Sequence, residues 1–217
     1  MISDLTRQQL AELAIDSQKP LVICDVDEVV VHFTSALESY LAQRQMWLDT
    51  SSFALNGNVR RTEINEPVAD DVVARLIDDF FHDHTLELGV IDGAIVSLQT
   101  LARQCTVVML TNLPHHARDK RINNLRSHGL HFPVVTNSGP KGPAIQHLAK
   151  TTNKAVVFID DSPGFMRSAR DHAPDVHLIH FIQDERFARH THLDFVSLRT
   201  GRWDEALPHI QKLLSGI

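Results

Sequence analysis

Five short apolar runs punctuate the chain at 21–25, 106–111, 132–136, 155–160 and 176–181, reading LVICD, TVVMLT, FPVVT, AVVFID and VHLIHF. Each is too short for a buried helix, is rich in β-branched residues and is bounded by polar or turn residues, the pattern of strands covered on both faces. Between them, apolar residues recur every three or four positions and predict helices at 93–103, 114–127, 143–149 and 163–172. Three of these helices open on a proline, whose missing N–H is harmless in a first helical turn. Strand and helix in alternation predict an α/β fold, a Rossmann-like parallel sheet with helices on both faces. An amphipathic helix is expected within 1–19. A terminal one is expected at 203–214, with Trp203, Leu207, Ile210 and Leu214 on one face.

The segment 33–88 breaks this rhythm. It holds helical spacing at 35–45, an irregular stretch through FALNGNVRR, and a helix after Pro67 in which Val68, Val72, Val73, Leu76, Ile77 and Phe80 form one stripe. The chain is therefore expected to divide into a core of 1–32 and 89–217 with an insert of 33–88. No internal repeat or low-complexity tract is present.

The apolar runs stop at chemically suggestive residues. Asp25 and Asp27 follow the first, Thr111 and Asn112 the second, and Asp160 and Asp161 the fourth, while Lys141 precedes a helix. Ligands of open α/β sheets bind at the carboxyl ends of the strands. Carboxylates, a hydroxyl and a lone lysine gathered there suit magnesium-assisted chemistry on a phosphate.

These four segments, DVDEV, LTN, the lysine of GPKGP and FIDD, in this order over roughly residues 20–182, resemble the haloacid dehalogenase superfamily of phosphohydrolases. The resemblance implies that Asp25 is the nucleophile, forming an aspartyl-phosphate and also ligating Mg2+. Asp27 would lend its carbonyl to the metal and its side chain to proton transfer, and Asp160 and Asp161 would complete the metal site. Thr111, the backbone amides of Asn112 and Leu113, and Lys141 would hold the phosphate, the amides lying where a helix N-terminus favours anions. The insert would be a small, mainly helical cap that governs substrate choice. Asp27 disfavours the halide-releasing branch, and the absence of lysine from 33–88 disfavours the phosphonate-cleaving branch. DVDEVVVHF and FIDDSPGF are similar to the deoxyribonucleotidase branch without fixing a substrate. The expected activity is that of a magnesium-dependent phosphatase acting on a small phosphorylated metabolite, such as a nucleotide or sugar phosphate. The alternatives are a phosphomutase and a non-catalytic phosphate-binding or partner-binding module. Glu28 departs from the glycine that many family phosphatases carry after the second aspartate.

A net charge of −6 argues against a nucleic-acid polymer or an anionic membrane as partner. The lack of a membrane-length apolar stretch and of a secretory pattern leads to an expected cytoplasmic location. Cys24 and Cys105 are expected to be several residues out of register on neighbouring strands, and hence free buried thiols. Of the 14 histidines, the pairs 82/84, 115/116 and 190/192 lack a convincing third and fourth metal ligand, and only His115 and His116 stand near the proposed crevice. Arg44, Arg60, Arg61 and Arg75 of the insert are candidates for a second anionic group of the substrate.

Overall fold

The computed structural model describes residues 2–189 and 191–216. Its elements run α1 (Asp4–Ala11), β1 (Leu21–Cys24), α2 (Thr34–Ala42), β2 (Met46–Leu48), β3 (Val59–Arg61), α3 (Asp70–His84), α4 (Ala94–Leu101), β4 (Thr106–Thr111) and α5 (Arg118–Ser127). They continue with β5 (Val134–Thr136), α6 (Gly142–Ala149), β6 (Val156–Asp160), α7 (Pro163–His172), β7 (His177–Phe181), α8 (Glu185–Ala188), β8 (Leu198–Thr200) and α9 (Trp203–Ser215). Six strands form one parallel sheet in the order β5-β4-β1-β6-β7-β8. All five expected strands are present within a few residues of their expected bounds. The sixth, β8, is short and only half apolar, so its sequence carries no strand signal.

The chain order reverses at β1, which lies between β4 and β6. Such a switch point leaves a crevice at the carboxyl ends of the central strands. Register brings those ends level: Cys24 pairs with Met109 on one side and with Ile159 on the other. The sheet is buried on both faces. Val22 and Cys24 point into an apolar layer with α4, α9 and the insert, and Leu21 and Ile23 point into a second layer with α1, α6 and α7. Cys105 lies four residues before Met109, the register partner of Cys24, so the two thiols are free.

The insert is mainly helical but contains the antiparallel pair β2–β3, with Met46 opposite Arg61 and Leu48 opposite Val59. Three-residue strands carry too little alternation to be read from sequence. Its apolar side is continuous with one core layer through Leu37, Tyr40, Val73 and Phe80. Phe33, at the first junction, stacks on Phe81 and meets Phe80 edge-on. The amino-terminal helix is shorter than expected and stops at Ala11, because Asp16 folds the following segment into a turn by accepting from the Gln18 and Lys19 amides. Among the described residues no helix is long and apolar enough to cross a membrane.

Candidate functional site

The sequence folds so that its chemistry-bearing residues meet at the switch point. β1 ends at Cys24, and the Asp25 amide still bonds to the Ile159 carbonyl at 2.9 Å, so Asp25 is held level with the end of β6. The next residues turn sharply: the amides of Val30 and Val31 both bond to the Val26 carbonyl, and Glu28 adopts φ +60°. This left-handed position is where a glycine is normally the least strained choice. Glu28 is held there by its own carboxylate, which accepts from the Thr34 amide at 2.5 Å and from Gln183 Nε2 at 3.0 Å. It caps the first turn of α2, and its charge still reaches Asp161, whose pKa it helps to raise. The Trp203 indole N–H, donating to the Val29 carbonyl at 2.9 Å, pins the same turn from α9.

Lys141 is fully buried, and its Nζ lies 2.7 Å from Asp25 Oδ1 and 2.7 Å from Asp160 Oδ2. It reaches them from a loop braced by asparagines. Asn112 Nδ2 and Asn137 Nδ2 donate to the Gly139 carbonyl at 2.8 and 3.0 Å, and Asn137 also donates to Asn112 Oδ1. The Asn112 side chain thus orients the lysine loop. Gly142 lets α6 approach α7 closely, since a Cβ on it would lie 2.1 Å from the Ser168 carbonyl oxygen.

Asp25, Asp160 and Asp161 have carboxylate oxygens within 4.8 Å of one another, with Asp25 and Asp160 buried. Burial raises Asp25 to about 7 against the pull of Lys141, and it also raises Asp160 and Asp161, the latter aided by the charges of Asp160 and Asp25. The two carboxylates around Lys141 in turn overcome the effect of burial and raise its pKa. Asp25 Oδ1 touches Lys141 without a directed hydrogen bond. One buried cation among three crowded carboxylates leaves negative charge unsatisfied, and the donor set is all oxygen, which is what a hard divalent ion requires.

Asp27 stands slightly apart. Its Oδ2 lies 3.3 Å from Thr111 Oγ1, and its Oδ1 accepts from Arg121 Nη2 at 2.5 Å. The structure therefore brings together Asp25, Asp27, Thr111, Lys141, Asp160 and Asp161, with Asn112 and Leu113 following Thr111 at the rim.

No protein-family model matches the chain, and no curated protein sequence matches it. Solved structures do. A haloacid dehalogenase-like hydrolase from Streptococcus pneumoniae aligns with TM-score 0.59 at 13% identity, covering 90% of this chain and 99% of that one. A HAD family hydrolase from Deinococcus radiodurans, with bound phosphate and sodium, aligns with TM-score 0.60 at 14% identity, covering 91% and 97%. A predicted phosphatase from Clostridium acetobutylicum aligns with TM-score 0.60 at 18% identity, covering 91% and 100%.

The chain has the haloacid dehalogenase-like fold. Within that fold, several residues around the site were not singled out from sequence. Arg121 and Asn124 are buried on α5, and their signal was the near absence of an apolar stripe in RDKRINNLRS, a helix that nevertheless packs on the core. His180 is buried on β7, its Nε2 donating to the Asp161 carbonyl at 2.9 Å, and burial lowers its pKa to about 4. It serves as a neutral brace.

The other histidine pairs form no metal site among the described residues. His82 and His84 contact Asp83 and Glu87, and His190 lies outside the described residues. His115 Nδ1 shares a 2.6 Å hydrogen bond with Thr136 Oγ1, and His116 reaches Asp78 on α3 at 3.7 Å. Of the insert arginines, Arg44 lies over Tyr40, Arg60 bonds to Asp49 and the Asn65 carbonyl, and Arg75 pairs with Asp71. Arg61 is exposed.

Proposed function

We propose that the protein is a magnesium-dependent phosphohydrolase that cleaves a small phosphorylated metabolite through an aspartyl-phosphate on Asp25. The observation that carries this reading is the contact of Lys141 with both Asp25 and Asp160, with Asp161 completing an acidic cluster and Asp27 beside it. Asp25, Asp160, Asp161 and the Asp27 carbonyl would hold the ion. When bound, it screens the phosphate dianion from the attacking carboxylate and draws charge from the phosphoryl oxygens.

The chain's own residues supply the remaining chemistry. An Asp25 carboxylate oxygen attacks phosphorus, and the bond to the leaving oxygen breaks as Asp27 hands it a proton. Asp27, now ionised, takes a proton from the water that attacks the acyl phosphate, and release of inorganic phosphate restores Asp25. Thr111 Oγ1 and the amides of Asn112 and Leu113 orient phosphoryl oxygens. Lys141, already balanced between two carboxylates, favours the ionised form of Asp25 and offsets charge as it shifts to the phosphate. The Deinococcus hydrolase of the same fold holds bound phosphate, in keeping with chemistry on a phosphate.

Substrate choice falls to the insert acting as a cap, with a nucleotide or sugar phosphate as the class in view. A cavity of ≈ 370 Å³ opens between its Ser51–Phe53 loop and the start of α7 at Pro163, Gly164 and Arg167, two residues beyond Asp161. That position suits the part of a substrate that lies beyond its phosphate.

The test is a comparison of Asp25→Asn with Asp27→Asn. Asp25→Asn should abolish turnover of every phosphoester, since an amide cannot form the phosphoenzyme. Asp27→Asn should release at most one equivalent of nitrophenolate in a burst from nitrophenyl phosphate and then turn over slowly, because that leaving group needs little proton donation. A wild-type protein inert with magnesium toward nucleotides, sugar phosphates and phosphorylated acids would refute the reading. Undiminished turnover by Asp25→Asn would do the same.

A further inference from the structure

We propose that Arg121 is a positioning residue for the proton-transfer carboxylate, and that Asn124 ties its placement to the joint where the cap returns to the core. The inference rests on the phosphohydrolase reading and adds a residue to it. Arg121 is fully buried although it sits on a surface-type helix, and Asp27 is its only carboxylate partner among the described residues. Burying a guanidinium is costly unless its partner is well aligned. Here Nη2 donates to Asp27 Oδ1 at 2.5 Å, and Nη1 leans on Asn124 Oδ1 at 3.4 Å.

The contact fixes which oxygen does which job. With Oδ1 engaged by the guanidinium, Oδ2 is the oxygen left beside Thr111 Oγ1, the hydroxyl placed to hold a phosphoryl oxygen. A planar, directional donor sets the carboxylate's rotation in a way that an ammonium point charge does not. Asn124 then carries the connection outward, since its Nδ2 donates to the carbonyls of Leu86 at 3.1 Å and Leu88 at 2.9 Å. Those residues form the second junction of the insert, and His128 Nε2 bonds to the same Leu88 carbonyl at 3.2 Å. A purely structural ion pair has no need of this chain of contacts from the cap joint to Asp27. Any shift of residues 86–88 is transmitted to Asn124, then to Arg121, then to the oxygen that donates the proton.

Leaving-group dependence separates positioning from packing. Arg121→Lys keeps the charge and loses the fork. It should lower kcat for an alkyl phosphate by about 10- to 100-fold, a part of the roughly 10²- to 10⁴-fold that general acid–base catalysis contributes, while KM stays within about 2-fold. The nitrophenolate burst should slow by less than about 3-fold, and acid-quenched phosphoenzyme should accumulate as in Asp27→Asn. In an Asp27→Asn background the same change should have less than about a 2-fold further effect on either ester, the non-additivity expected of residues acting through one contact. Asn124→Ala leaves the ion pair intact and should show the same selectivity for poor leaving groups at about 3- to 10-fold.

An equal slowing of the first step, release of alcohol or phenolate, on both esters, or additive losses in the Asp27→Asn background, overturns the role of Arg121. An Asn124→Ala protein with wild-type leaving-group dependence overturns the link to the cap joint. If Arg121→Lys does not fold, Arg121→Gln with added guanidinium should recover alkyl phosphate turnover selectively, and failure of that rescue counts against the role. A wild-type protein inert toward all phosphoesters refutes the phosphohydrolase reading itself, a result distinct from each of these.

Discussion

Lys141→Met keeps most of the length of the side chain and removes its charge. Three carboxylates have oxygens within 4.8 Å of one another and two of them touch one buried ammonium, so the change takes the local charge from −2 to −3 with all of them ionised. At an effective dielectric near 20, each of the two 2.7 Å contacts represents ~6 kcal/mol of Coulomb attraction. Most of that is already offset by desolvation, and breaking a buried pair costs ~3–5 kcal/mol in practice. For a chain of this size the loss corresponds to a fall in Tm on the order of 10 °C. The pH dependence follows from Asp25, which burial raises from 3.8 to about 7. A carboxyl raised in the folded state contributes stability that is present below about pH 4 and lost as the pH rises through about 7. Without Lys141, Asp25 loses the interaction that opposes this rise and holds its proton more firmly. The variant's deficit should therefore be smaller at pH 5 than at pH 8. Magnesium should recover part of the deficit at pH 8, since an ion at ~100 times its Kd adds ~2.7 kcal/mol, and it should shift the variant more than the wild type. Thermal unfolding of both proteins at the two pH values, with chelator and with magnesium, reads all of this. A deficit under ~1 kcal/mol, the value of a surface pair, would refute the reasoning, as would a deficit at pH 5 equal to that at pH 8.

Glu28→Ala should destabilise more than Glu28→Gly, by ~1 kcal/mol in denaturant unfolding, because both lose the bonds to Thr34 and Gln183 but only alanine retains a Cβ at φ +60°. Equal effects would mean that the left-handed turn is unstrained. Gly142→Ala should force α6 away from Ser168 and carry Lys141 with it, lowering activity at least ~10-fold with a Tm loss of several degrees; wild-type kinetics would show that the two helices separate freely. Asp160→Asn should weaken magnesium binding, measured calorimetrically, by at least ~10-fold while the fold survives, and unchanged affinity would remove Asp160 from the metal site.

What could be read from sequence was whatever repeats a simple physical pattern. Fully buried parallel strands must be apolar throughout, so β1, β4 and β6 announce themselves, and the carboxylates that interrupt them mark the crevice. β8, with its exposed Arg199, and the β2–β3 pair have no such uniformity and depend on neighbours supplied by the fold. Arg121 was hidden for a different reason. Its partner is 94 residues away, and a basic residue in a polar helix looks solvated until the sheet closes over it. Glu28 was visible as a departure from a glycine but its purpose was not, because the Thr34 amide and Gln183 come to it only through the turn after β1 and the end of β7.

The polar inner side of α5 sets a limit on engineering this scaffold. A designer seeking thermal stability would exchange Arg121 and Asn124 for leucine-like residues, and packing alone would favour the change. Such a protein would melt later with Asp27 no longer clamped, and screens that select on heat resistance would enrich it. Stabilising campaigns on this chain should therefore leave α5 untouched and work on the outer faces of α3 and α9, where charges such as the Arg75–Asp71 pair are exposed.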